Sequence, residues 1–226
     1  MRISFSGDII DGIEAADTVR EGDAMNRKEQ FFFEKLTEEG ELCARGGLIL
    51  DEVLQGKRPR EEGYDIVRRL RREGREAALT LCGKGRRAFP EGGEAAISLV
   101  EKTDSLLGGM KDLARLLSVY ETDAPEKMKE TTMLIRASME EIAKIYGYAG
   151  SLDESYMKAE ARCGRIVHYE ERGDRCFQEG LSLLFRERKD PFYVIQWKDL
   201  MEQGESLLDG ALCCVHLFQR AAKYWM

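Results

Sequence analysis

Long apolar runs are missing from this chain of 226 residues. No stretch approaches the ~20 consecutive apolar residues that a membrane-spanning helix needs, and no basic region followed by an apolar one opens the sequence. Runs alternating apolar with polar residues, rich in β-branched side chains, are absent as well, which argues against a sheet. Histidine is scarce. His168 and His216 are the only two, and neither has an acidic residue three positions before it. The paired E-x-x-H motifs of di-iron carboxylate enzymes are therefore lacking, and that enzyme reading is a minor alternative. Gly92-Gly93 and Gly108-Gly109 lack the Lys-Ser/Thr of a phosphate-binding loop, and no Ser/His/Asp set appears. The chain is expected not to be an enzyme.

Cysteine is present without pattern. Cys43, Cys82, Cys163, Cys176, Cys213 and Cys214 show no C-x-x-C spacing, and several occupy apolar helical positions, as reduced core thiols of a cytosolic protein do. Basic residues number 35 against 42 acidic ones, a net charge of −7, and they form no basic block, so nucleic acid is not an expected partner. A cytoplasmic location follows from this composition.

What the chain does have is helical periodicity and enough apolar residues, 43%, for a sizeable core. All four prolines, Pro59, Pro90, Pro125 and Pro191, fall where a helix would begin, the position proline tolerates best. Ser151 followed by Glu154 reads as a capping box after the Gly147-Tyr148-Ala149-Gly150 break. The expected helices cover about 26–56, 60–87, 91–121, 124–148, 152–188 and 191–225. Residues 1–24 carry no sustained apolar face and precede a natural-looking start at Met25, so they read as a disordered arm or a mis-assigned start.

Two segments carry the chemistry. Glu170-Glu171-Arg172-Gly173-Asp174 and Glu205-Ser206-Leu207-Leu208-Asp209 each read E-x-x-x-D, a spacing that aims both carboxylates at one helix face. Glu170 and Asp174 fall in a row with Tyr156, Ala159, Cys163, Ile166 or Val167, Phe177, Leu181 and Leu184. Glu205 and Asp209 lie in or beside the row Val194, Trp197, Met201, Leu208, Leu212 and Val215. If the two helices turn at Lys189-Asp190-Pro191, residues 170 with 209 and 174 with 205 share one height. Four carboxylates then meet inside the bundle, and burial without compensation is so costly that a metal ion, or Arg and Lys partners, must be supplied. The expected metal ligands are Glu170, Asp174, Glu205 and Asp209. Cys213 and His216 lie one and two turns beyond Asp209, where a core or boundary role is favoured over ligation. His168 points elsewhere.

The halves correspond. Asp104-Ser105-Leu106-Leu107-Gly108 matches Glu205-Ser206-Leu207-Leu208-Asp209, Pro90 matches Pro191, and Arg71-Arg72-Glu73-Gly74-Arg75 matches 170–174. The expected fold is accordingly an all-α, six-helix antiparallel bundle of two three-helix repeats, 25–121 and 122–226. Where the second repeat has four acids, the first has Arg71, Arg75, Asp104 and Gly108, which suits Arg–Asp pairing instead of a cation.

The FFFEKL at 31–36, EERGD at 170–174, LLFRERKDPFYVIQWKDL at 183–200 and ESLLD at 205–209 resemble the PhoU-like proteins. The resemblance is closer to the branch described as Pit accessory proteins or phosphate transport regulators, and it spans residue 25 to the end. It departs in the first half, where Gly92-Gly93-Glu94-Ala95 replaces an acidic segment and only Asp104 remains of a D-D-x-x-D-like motif. The resemblance implies a PhoU-like bundle whose E-x-x-x-D motifs bind a divalent or multinuclear metal, iron first, with zinc or nickel as alternatives, at one site in the second repeat. It further implies an accessory or regulatory role with a phosphate permease at the inner membrane face, and self-association as a homodimer. The competing reading is a metal-free helical adaptor.

Overall fold

Asn26 starts the first helix with a reciprocal cap: its side chain accepts from the backbone N–H of Lys28 and Glu29, while the Glu29 carboxylate accepts from the Asn26 N–H at 3.1 Å. The computed structural model describes residues 26–120, 123–187 and 190–226, and among them it contains helices and no strand. The helices are α1 (Arg27–Leu54), α2 (Arg60–Ala88), α3 (Gly93–Val119), α4 (Glu126–Gly147), α5 (Leu152–Arg186) and α6 (Pro191–Ala222). Between α4 and α5 the chain barely uncoils, passing through a single 3₁₀ turn at Ala149–Ser151 while reversing direction. Counted through that turn, the described residues form a bundle of five helices, one of them long and bent back on itself. Residues 1–24, Met25, the boundary at 121 and 122, and Lys189 of the expected turn lie outside the described residues.

Pro59 and Pro125 are the N-caps of α2 and α4, and Pro191 opens α6 behind an Asp190 cap that accepts from Tyr193 N–H at 3.2 Å. Pro90 instead sits in the turn ahead of α3, which begins two residues later than expected. The capping box expected at Ser151 does not form. Its backbone (φ −143, ψ 40) is not in the extended form a cap requires, because the preceding 3₁₀ turn already feeds α5.

Helices adjacent in sequence run antiparallel where their cross-contacts fix the sense. Arg162 pairs with Glu141 and Arg172 with Glu130 between α4 and α5, and Gln219 of α6 donates to Glu160 of α5. That last pair is centred on the same point of the chain as 170 with 209 and 174 with 205, so the expected register of α5 and α6 holds. The most extensive packing is between α1 and α4. It is close because α1 presents glycines there: a Cβ on Gly40 would lie 2.9 Å from the Ala143 Cα, and one on Gly47 3.1 Å from the Arg136 Cα. The two halves also repeat one packing detail. A Cβ on Gly74 would lie 2.3 Å from Leu107 Cδ1, and one on Gly173 2.2 Å from Leu208 Cδ1.

The core runs the length of the bundle, with Phe32, Leu36, Leu50, Leu107, Met110, Tyr146, Trp197 and Phe218 almost wholly removed from water. One end is closed by Phe32, Phe33, Phe89, Phe218 and Trp225, with ring centroids 5.1–6.1 Å apart. The six cysteines are free, four buried and two half-buried, as the sequence suggests. No helix among the described residues is long and apolar enough to cross a membrane.

Candidate functional site

Leu208 of α6 packs into the space left by Gly173 of α5, and four acids flank that contact in sequence. One oxygen each from Glu170, Asp174 and Asp209 lies within 4.8 Å of the other two. Glu205 stands beside this triad. Its carboxyl is pushed above the usual range, first by desolvation and then by the charges of Asp209, Asp174 and Glu170. Glu170 is raised in the same way, by desolvation, then Asp174 and Asp209, with His216 opposing weakly. No Lys or Arg among the described residues forms an ion pair with any of the four, so the cluster keeps its mutual repulsion. The structure thus brings three of the four acids expected from the sequence within 4.8 Å of one another, and leaves Glu205 outside that group but close enough to feel their charge.

Their burial differs from expectation. Glu170, Asp174 and Glu205 are half-buried and Asp209 is exposed, so the quartet lines an open seam and not the bundle interior. The buried row of α5 runs Ala159, Cys163, Ile166, Gly173, Cys176, Gly180 and Leu184. Gly173 and Gly180 are core positions without side chains of their own: Leu208 and Met201 fill them from α6. The acids flank this row and do not interrupt it. In α6, Gly204, Leu207 and Leu208 likewise take the buried places, leaving Glu205 and Asp209 at the edge.

The equivalent height of the first half holds the expected Arg–Asp cluster. Arg71 embraces Asp104 with both terminal nitrogens, the Nη2–Oδ2 contact being 3.0 Å, and Arg75 adds a bond of 2.8 Å. The Asp104 side chain is 8% exposed, Arg71 22% and Arg75 59%. Gly108 lies against the guanidinium, where a Cβ would make an ordinary contact with Arg71 Nε at 3.4 Å.

Behind this cluster is a residue the sequence reading missed. Glu39 of α1 is fully buried, and neither carboxylate oxygen has a hydrogen-bond partner. Its pKa is raised to about 8, chiefly by desolvation and then by Asp104, with Arg71 pulling the other way; the Ala78 N–H offsets part of the rise without meeting hydrogen-bond geometry. At neutral pH it is mostly the neutral acid. The signal was available: Glu39 falls in register with Phe32, Leu36 and Cys43, an acid inside an apolar row.

Of the histidines, His168 is exposed beside Glu171 at 3.9 Å, away from the quartet, and His216 is exposed and only electrostatically felt at Glu170. Compared with known proteins, the chain matches no family model and no curated sequence.

Proposed function

We propose that the chain is a metal-binding regulatory or accessory protein of phosphate transport, cytoplasmic and without enzymatic activity, acting with a phosphate permease. The observation that carries the metal-binding part is the convergence of Glu170, Asp174 and Asp209, with Glu205 beside them and no basic partner among the described residues. The donor set fits a hard cation. Oxygen ligands 2.0–2.6 Å from one ion can lie up to about 5 Å apart, and the triad's 4.8 Å falls within that reach. With no Cys or His in the triad, ions that accept oxygen donors are favoured over those preferring thiolate or imidazole. Iron is the metal the resemblance implies. A bound cation would also relieve the repulsion that raises Glu170 and Glu205.

The transport role rests on the resemblance of residues 31–36, 170–174, 183–200 and 205–209 to PhoU-like proteins. The two-repeat reading that accompanies it is supported by the matched contacts of Gly74 with Leu107 and Gly173 with Leu208. Partnership with the permease and homodimer formation belong to the same resemblance. The exposure of Asp209 favours a second reading, a metal-free adaptor whose acidic seam is simply hydrated.

Elemental analysis of protein purified without chelator or nickel resin separates the two readings. Stoichiometric metal lost on Asp174→Ala supports the first, and metal-free protein that takes up none on dialysis supports the second. Phosphate uptake unchanged after deletion of the gene, with no transporter gene nearby, would remove the transport role.

A further inference from the structure

We infer that the cleft between α3 and α6 is a binding site for a small inorganic oxyanion, built where the first half of the bundle carries Arg71 and Gly108. The cleft has a volume of about 350 Å³ and is lined chiefly by Arg71, Lys102, Ser105, Gln203 and Ser206 over the glycines of the two helices. On α6 it occupies a face adjacent to the quartet, with Gly210 next in sequence to Asp209. The inference does not depend on that quartet holding a metal.

Charge is the first argument. Arg71 and Arg75 share the single carboxylate of Asp104. Lys102 forms no ion pair among the described residues, and its stem lies over Gly210, where a Cβ would meet Lys102 Cε at 3.7 Å. Asp112, the one carboxylate in the lining, is engaged by Lys111 at 3.0 Å. Among the lining side chains Arg71 and Lys102 stand against Asp112, an excess of one positive charge in a protein that is acidic overall.

Donor geometry is the second. Both terminal nitrogens of Arg71 bond Asp104, which leaves Nε–H without a hydrogen bond to a described residue, and Nε is the atom nearest the space over Gly108. Ser105, Gln203 and Ser206 make no hydrogen bond to a described residue, so hydroxyl and amide donors from both helices line the same cleft as a guanidinium edge and an ammonium. Such a set suits the several acceptor oxygens of phosphate or sulfate and offers little to a cation.

Calorimetric titration of the full chain with inorganic phosphate, at neutral pH and constant ionic strength held by chloride, tests the inference. Saturable one-to-one binding is expected, with sulfate competing for the same site. Gly108→Ala closes the space at Arg71 Nε, and Lys102→Gln removes the free ammonium; each should weaken binding by about tenfold or more, the worth of one charge-assisted contact. Alanine favours the helix at position 108 and position 102 is only partly buried, so unchanged circular dichroism should accompany both losses. The inference is overturned if the wild-type chain gives no saturable heat, or if both variants titrate as it does. Phosphate binding that survives in both but disappears in Asp174→Ala would put the anion on a cation held by the acidic quartet, and would equally overturn it.

Discussion

Replacing Glu39 with Gln should abolish a pH dependence of stability that the wild-type chain carries. Its carboxyl rises from an ordinary value of 4.5 to about 8 in the folded state. A raised folded pKa means that the native state holds a proton the unfolded chain has released. The associated stability is fully present below the unfolded pKa and is lost as pH climbs through the folded one. With these two values, linkage gives a loss of about 3–4 kcal/mol between ~pH 5 and ~pH 8, at 1.36 kcal/mol per pKa unit. Full burial of the side chain means that solvent does not screen this amount away. Urea unfolding of both chains across that range, compared as a difference at each pH, is the appropriate assay. Other titrating groups, including Glu170 and Glu205 with shifts of the same sign, are common to both chains and cancel. The offset at any single pH also contains the cost of the new amide, so the slope is the quantity to read. A wild-type-minus-variant difference that stays flat within about 0.5 kcal/mol would refute the buried, unpartnered carboxyl.

Asp104→Ala should cost about 1–3 kcal/mol in thermal or urea unfolding, less than for a fully buried triad, because Arg75 and part of Arg71 reach solvent. The same change removes a charge that raises Glu39, so a measured titration of Glu39 should move down. Metal content read by elemental analysis should be unaffected by Asp104→Ala and lost in Asp174→Ala; the opposite pair of results would reverse the assignment of the two halves. In metal-free protein Asp174→Asn should bring the Glu170 pKa, followed by NMR, back toward the ordinary range, since Asp174 is the leading charge that raises it. Gly40→Ala should destabilise by about 1–2 kcal/mol in urea unfolding, overpacking against the α4 backbone outweighing the gain in helix propensity.

The helices were largely legible because proline placement and apolar periodicity report on local structure. Four helix starts come within a residue of their expected positions, while the Ser151 cap failed because its conformation depends on the turn before it. The register of the acidic quartet followed from hairpin symmetry alone. Its depth did not, since the glycines at 173, 180 and 204 are core positions only by virtue of the Leu208, Met201 and Thr131 side chains that reach into them. A reading that scores glycine as neutral assigns those places to the nearest side chain, which here is a carboxylate. The Arg71–Asp104 pairing was foreseeable from composition at one height, whereas Glu39 is a single acid in an apolar row of α1 with no second carboxylate at helical spacing to mark it.

The glycine seam between α1 and α4 also bears on the order of assembly. Gly40 and Gly47 meet Ala143 and Arg136, roughly a hundred residues further along the chain, while α2 with α3 and α5 with α6 close over short turns. Loop closure grows costlier with separation, so the local hairpins are expected to form before α1 docks on α4. Contacts made after the rate-limiting step leave the folding rate nearly untouched and appear in the rate of unfolding. The closeness of this one seam would then govern how long the folded protein persists, and hardly at all how quickly it is made.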